Sequence, residues 1–186
     1  MSEPVRCAWC GNDPLYQQYH DTEWGRPVRD DQTLFEFLIL ETFQAGLSWI
    51  TILRKRENFR QAFDFFDVQK VAAYTPDKLN ELLLDPAIIR NRLKIQAAVT
   101  NAQAFIRVQE EHGSFSNYIW SFTGGHPIDN LPATLTDVPA TTPLSDRISK
   151  DLKKRGFKFV GSTVVYAHMQ ATGMVNDHIA ACWTRH

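Results

Sequence analysis

His178 and Cys182 stand four residues apart, the spacing that brings two side chains to one side of a helix and lets them share a metal ion. Near the other end of the chain lie Cys7, Cys10 and His20. Two thiolates and two imidazoles make a closed tetrahedral set suited to zinc, and such a site would tie the termini together. Spacing alone does not choose between His20 and Cys10 as the fourth ligand. Cys7 and Cys10 also form a C-x-x-C pair that could cycle between dithiol and disulfide. An odd count of three cysteines argues against a disulfide framework.

A second group is Glu41 with Trp9, Tyr19 and Trp49. Glu41 follows Leu38, Ile39 and Leu40, so its carboxylate sits where burial is costly unless it is paired or used. Aromatic rings beside a carboxylate can sandwich a planar ligand while the acid reads its edge. A third group is the turn Asp85-Pro86-Ala87-Ile88-Ile89-Arg90-Asn91-Arg92-Leu93-Lys94. Its backbone N–H groups could meet a phosphate, with Arg90, Arg92 and Lys94 neutralising charge. A fourth is the basic stretch Lys150, Lys153, Lys154, Arg155 and Lys158, which is equally the pattern of a solvated face.

The elements that must position these residues read as helices. Asp31 is placed as the cap of a helix running through Glu41, and Gly46 breaks the run. Ser48 is placed as the cap of the next helix, and Asp67 starts a short one over 68–73. Thr75-Pro76 opens a helix over 76–84 that Asp85-Pro86 ends. A long helix is expected over 91–111, stopped by Gly113. Residues 123–144 read as a loop. Ser145 caps a helix ended by Gly156, Ser162 caps one to about Gly173, and a last turn or short helix carries His178 and Cys182. The only β-branched run, Thr163-Val164-Val165-Tyr166, lies in a helical frame. The fold class is therefore all-α.

Bulk properties set wide bounds. The chain has 186 residues, 44% hydrophobic and 22% charged, enough apolar material for a core. No long apolar run marks a membrane helix, and Met1 to Arg6 shows no apolar signal segment, so a cytoplasmic protein is expected. The net charge of -1 does not announce a nucleic-acid binder, so a DNA-binding surface would have to be local. A monomer is expected, because no helix face is left conspicuously apolar.

The motifs together resemble the 3-methyladenine DNA glycosylase I family of the helix-hairpin-helix superfamily. They are Asp13-Pro14-Leu15-Tyr16, Tyr19-His20-Asp21-x-Glu23-Trp24-Gly25, Leu40-Glu41-x-x-Gln44-Ala45-Gly46-Leu47-Ser48-Trp49-Ile50, Lys55-Arg56-Glu57-Asn58, Ile88-Ile89-Arg90 with Lys94-Ile95, Lys153-Lys154-Arg155-Gly156-Phe157-Lys158-Phe159-Val160-Gly161 and Met169-Gln170-Ala171-x-Gly173-x-Val175-Asn176-Asp177-His178. They run in order along nearly the whole chain. The resemblance implies a single catalytic unit over 1–186 with two helical lobes. One lobe, about 50–120, holds the hairpin at 85–94; the other combines about 1–49 and 121–186 and is stapled by structural zinc. It implies that the zinc ligands are Cys7, His20, His178 and Cys182, with Cys10 outside the set.

The same resemblance implies a base pocket of Glu41, Tyr19 and Trp49 with Trp9 close by, and assigns Glu41 the catalytic role. Gln44-Ala45-Gly46-Leu47 would fill the gap in the duplex, and Arg90, Arg92, Lys94, Lys153, Lys154 and Arg155 would meet DNA. The activity implied is hydrolysis of N3-methyladenine from double-stranded DNA, releasing the free base and leaving an abasic site without strand cleavage. Ala87 after Pro86 departs from the family pattern, where a glycine is expected. Three other readings compete: a damage-binding module without activity, a zinc-stabilised adaptor for a protein partner, and a redox protein using Cys7 and Cys10.

Overall fold

The computed structural model describes residues 3–185; Met1 and Ser2, part of the segment read for a signal, lie outside them. The helices are α1 (Pro14–Thr22), α2 (Asp31–Gln44), α3 (Trp49–Ala62), α4 (Val68–Ala72), α5 (Pro76–Leu84), α6 (Arg92–His112), α7 (Phe115–Ser121), α8 (Pro143–Lys154) and α9 (Ser162–Ala171). The fold is mostly helical, as expected. A two-residue parallel pairing joins β1 (Ile128–Asp129), inside the 123–144 stretch read as loop, to β2 (Val175–Asn176), just past the helix expected to end near Gly173. Two residues leave no alternation to detect. No helix among the described residues is long and apolar enough to cross a membrane.

The centre of the molecule is α2. Every residue from Leu34 to Phe43 is buried, because the helix packs against α3, α6, α7 and α9 on all sides. Around it Phe35, Phe43, Phe59, Phe105 and Trp120 form one continuous core. Its cap is Asp30, not Asp31: the Asp30 carboxylate accepts from Thr33 N at 2.8 Å. Asp31 is instead the first helical residue. Its carboxylate reaches across to accept from Phe115 N at 2.9 Å and Ser116 N at 2.8 Å, capping α7, which the sequence reading left unassigned.

Other ends shift by a residue or a few for similar reasons. Thr142 rather than Ser145 caps α8; Ser145 is the third residue of the helix and returns the hydrogen bond, Thr142 N to Ser145 Oγ at 2.8 Å. Thr75 caps α5 and Asn91 caps α6, where the sequence put the boundaries. Ser48 holds the cap position of α3, but its hydroxyl bonds Thr51 Oγ1 at 2.7 Å and no backbone N–H. His178 lies in no helix, and Cys182 follows it in a turn; a turn, not a helical face, brings the pair together.

The N-terminal segment is clamped onto the end of α9. Gly25 N donates to Gln170 O at 3.0 Å and Val28 N to Thr172 O at 2.9 Å. Gly173 permits this approach: with φ of +69°, a Cβ there would stand 2.3 Å from the carbonyl carbon of Arg26.

Candidate functional site

Helix α1 carries two functions on neighbouring residues. Asp13 caps it, accepting from Leu15 N at 3.0 Å and Tyr16 N at 3.2 Å, and Pro14 fits its first position. Tyr16 and Tyr19 are three apart and face one cavity. His20, next along, turns to a cluster of thiols and imidazoles.

The cavity has a volume of about 270 Å³. The expected residues Trp9, Tyr19, Glu41 and Trp49 all line it. Tyr16, Trp24, Gln44, Leu135, Val138, Ala167 and Gln170 line it too. The tyrosine spacing on α1 could have revealed Tyr16. Leu135 and Val138 arrive on a loop with no periodic signal. The aromatic rings pack against one another around the opening: Trp9 and Trp24 centroids are 5.0 Å apart, Tyr19 and Trp49 5.6 Å.

Three buried polar atoms in this wall have no hydrogen-bond partner among the described residues: Glu41 Oε2, Trp9 Nε1 and Trp49 Nε1. Unpaired buried groups cost about 1–3 kcal/mol each, so three at one cavity mark a place where a ligand supplies the partners. Glu41 is 4% exposed, and burial alone pushes its carboxyl up to about 8. The empty cavity therefore holds a protonated acid at neutral pH, and a cation entering it would favour the carboxylate.

Just past α2 the chain juts out. Ala45, Gly46 and Leu47 are exposed. Gly46 takes φ of +83°, and the turn is closed by Leu47 N donating to Gln44 O at 2.7 Å. Gln44, at its base, lines the cavity, so the exposed Leu47 stands beside the opening.

The expected basic residues separate into two kinds. Arg90 and Arg92 are exposed on the turn between α5 and α6 and make no ion pair among the described residues. Lys153 and Lys154 are exposed at the end of α8. Lys94 points inward: it is 7% exposed, and its ammonium donates to Phe43 O at 2.9 Å and Ala45 O at 2.7 Å. It is spent on the C-terminal carbonyls of α2, where its charge suits the helix dipole. Arg155 is likewise engaged, bonding Asp151 at 2.7 Å and Glu111 at 2.7 Å. The turn itself is knit by Ala87 N donating to Asp85 Oδ1 at 2.8 Å. Lys55 and Asn58 donate to Ala87 O, each at 3.3 Å.

The cluster behind α1 consists of Cys7, His20, His178 and Cys182, all buried, with ligand atoms within 4.8 Å of one another. Cys182 Sγ is 3.5 Å from His20 Nε2 and 3.4 Å from His178 Nδ1; Cys7 Sγ is 3.6 Å from His178 Nδ1. Ligands held at zinc's usual bond lengths in a tetrahedron are separated by roughly these distances, about 3.5 Å. The other nitrogen of each imidazole is also held: His20 Nδ1 by Asp21 at 2.8 Å, His178 Nε2 by the Trp24 carbonyl at 2.9 Å. This is how ligating histidines are oriented in metal sites. Burial brings His178 down to about 4, leaving it neutral, the form that ligates. Cys10 stays outside, its thiol donating to Cys7 O at 3.2 Å. The four residues present fit a structural zinc ion.

Comparison with known proteins agrees with this geometry. The family model described as methyladenine glycosylase matches residues 9–186. The chain is 50% identical over 177 residues to DNA-3-methyladenine glycosylase 1 of Escherichia coli strain K12, covering 95% of each chain. It is 46% identical over 178 residues to DNA-3-methyladenine glycosylase of Haemophilus influenzae, covering 96% of each. Among solved structures, that of 3-methyladenine DNA glycosylase I from Staphylococcus aureus, described as showing the basis of 3-methyladenine recognition, superposes with a TM-score of 0.95. It is 38% identical, with 97% of this chain and 96% of that one covered.

Proposed function

This chain belongs to the methyladenine glycosylase family, and on that premise we propose that it is a base-excision repair glycosylase that removes 3-methyladenine from DNA. The observation that carries the reading is the aromatic cavity with Glu41 Oε2 and two indole N–H groups buried and unpartnered in its wall.

The base must leave the helical stack to reach such a cavity. Methylation at N3 gives adenine a positive charge and weakens its bond to deoxyribose, so the leaving group is already activated. Trp49 and Tyr19, packed on each other at 5.6 Å, form one aromatic wall against which the flat cation lies, an arrangement that favours charge over neutral adenine. Glu41 ionises beside it and accepts hydrogen bonds from its polar edge. Trp9 and Trp49 supply N–H donors. Water then attacks the sugar carbon, and base and abasic DNA part. Among the described residues no lysine lines the cavity, and the reading is accordingly of base release without a Schiff base, the strand staying intact.

The exposed Gln44–Leu47 turn fills the space the base leaves. We read α5, the 85–91 turn and α6 as a helix-hairpin-helix clamp on the phosphates, with Arg90 and Arg92 as its charges. Lys153 and Lys154 flank it, and Lys94 and Arg155 are better assigned to internal contacts. Zinc on Cys7, His20, His178 and Cys182 would supply a fixed tetrahedral cross-link between the two ends of the chain. The whole acts as one catalytic unit, two helical lobes about α2, working as a cytoplasmic monomer.

The decisive measurement is release of free base from methylated duplex DNA, with unmodified duplex as control. Release of 3-methyladenine, lost in Glu41→Gln, is expected. Wild-type release by that variant would overturn the role of Glu41. No release by the folded, zinc-loaded protein, with salt-dependent binding retained, would favour a damage-binding module.

A further inference from the structure

Beside the base cavity lies a second, outer groove of about 450 Å³. Gln44, Ala167 and Gln170 line both. The outer wall is completed by the exposed turn after α2, by Pro139 and Ala140, and by Thr163 and Val164 in the first turn of α9. No charged side chain lines it. That suits the C–H faces of a deoxyribose, as the inner cavity's carboxyl suits a cationic base. A base and its sugar are joined by a single bond, so a base in the inner cavity puts its sugar where the two spaces meet.

Gln170 stands at that junction with its side chain locked. Its Nε2 donates to Asp177 at 2.9 Å. Asp177 is buried and also accepts from the Tyr166 hydroxyl at 2.6 Å and from Asn130 at 2.7 Å. A carboxylate accepts and does not donate, so the amide must turn its NH2 group to Asp177. Its carbonyl oxygen then faces away, and no donor among the described residues reaches it. Gln170, which lines both spaces, therefore carries a carbonyl oxygen free of protein donors, and among the described residues lining either space only Glu41 carries a carboxylate.

We propose that the outer groove binds the deoxyribose of the flipped nucleotide and that Gln170 holds the attacking water against its C1′ carbon. The assignment rests on the reading of the inner cavity as the base site. In the step itself, the water oxygen bonds to C1′ as the bond from C1′ to the base nitrogen breaks. The bonding pair goes to the base and cancels its positive charge. The surplus proton leaves the water for solvent, since an amide carbonyl does not retain it. Gln170 is thus a positioning residue, and a cationic leaving group makes a stronger base unnecessary.

The test separates base from sugar. Each protein is measured for affinity to free 3-methyladenine, for affinity to duplex carrying an abasic-site analogue, and for single-turnover excision from methylated duplex. Thr163 is exposed and outside the inner cavity, so Thr163→Trp fills the groove without touching the base wall. Its excision rate and abasic-duplex affinity are expected to fall about 100-fold, with free-base affinity unchanged. Gln170→Leu is expected to slow excision at saturating enzyme at least tenfold and to lower the melting temperature somewhat, because buried Asp177 loses a donor. Asn130→Ala removes another donor of Asp177 from outside both spaces, and is expected to lower melting comparably while excising at the wild-type rate. A packing role alone would slow both variants alike. Wild-type excision by Thr163→Trp or by Gln170→Leu, or equal slowing by Asn130→Ala, overturns the proposal. A wild-type protein that excises but does not bind the free base overturns the inner-cavity reading, and the groove assignment falls with it.

Discussion

The aromatic cavity and the thiol–imidazole cluster lie back to back on α1, and they treat buried polarity in opposite ways. In the cluster every donor atom converges on one point, and each imidazole's second nitrogen is held from behind. In the cavity Glu41, Trp9 and Trp49 present polar atoms that nothing meets. A closed, saturated centre cross-links; an open, unsaturated one waits for a ligand. The same chain segment builds both because successive helical residues, Tyr19 and His20, point about 100° apart.

The largest effect should come from breaking the unsaturated side. Glu41→Gln removes the ionisable group and keeps its shape, and single-turnover excision should fall about 100-fold or more. The same substitution should stabilise the empty protein. An ordinary glutamate loses its proton near 4.5, but burial pushes Glu41 up to about 8. Between those values the folded chain holds a proton that the unfolded chain has lost. Glu41 therefore contributes stability fully below pH 4.5 that is lost as pH rises through about 8. Melting curves from pH 5 to 9 should show the variant gaining on wild type as pH rises. Parallel curves would mean that Glu41 is ionised and paired in the empty cavity.

Breaking the saturated side should matter next. Chelating the proposed zinc, or Cys182→Ser, would leave buried donors without a common partner, and melting should drop by more than any surface change produces. The two regions also touch. The Trp24 carbonyl holds His178, its ring packs on the His178 ring at 4.7 Å, and its other side meets Trp9 in the cavity wall. Free-base affinity should consequently weaken several-fold on chelation, while the circular dichroism of the helices persists. Unchanged affinity in the metal-free protein would show the two regions to be independent.

What the sequence showed of this contrast follows from how each part is encoded. Helices with a cap and a stop in the chain, such as α5 between Thr75 and Asp85, were legible to the residue. Asp30 and Asp31 were not separable, because either can cap and only the distant α7 shows that Asp31 is needed elsewhere. Cys7, His20, His178 and Cys182 come together, and Trp9, Tyr19, Glu41 and Trp49 line one cavity, but the expectation of both groupings came through family resemblance rather than spacing. Trp24, Leu135, Val138 and Gln170 were missed as cavity residues because only the fold brings their segments to Glu41. Lys94 was misplaced for a plain reason: a lysine at the start of a basic helix looks solvated, and only the fold brings the end of α2 to it.

Lys94 gives a third, smaller test, because it links α6 to the exposed turn after α2. Lys94→Met keeps the stem and leaves the Phe43 and Ala45 carbonyls short of a donor. The cost should be about 1–3 kcal/mol in stability, with a looser Gln44–Leu47 turn. Excision should slow, yet the salt dependence of duplex binding should stay as in wild type, since this ammonium meets no phosphate. A shallower salt slope would return Lys94 to the DNA-facing set.

The smallest effects belong to the exposed charges, and they sharpen the difference between free and committed cations. Arg90→Ala and Arg92→Ala should each reduce the slope of log affinity against log salt by about one. Arg155→Ala should leave the slope alone, because its guanidinium is already taken by Glu111 and Asp151. Surface ion pairs of this kind are worth about 1 kcal/mol or less, so its stability cost should also be modest. Equal slopes for all three variants would mean that Arg155 exchanges its carboxylates for phosphate when DNA arrives.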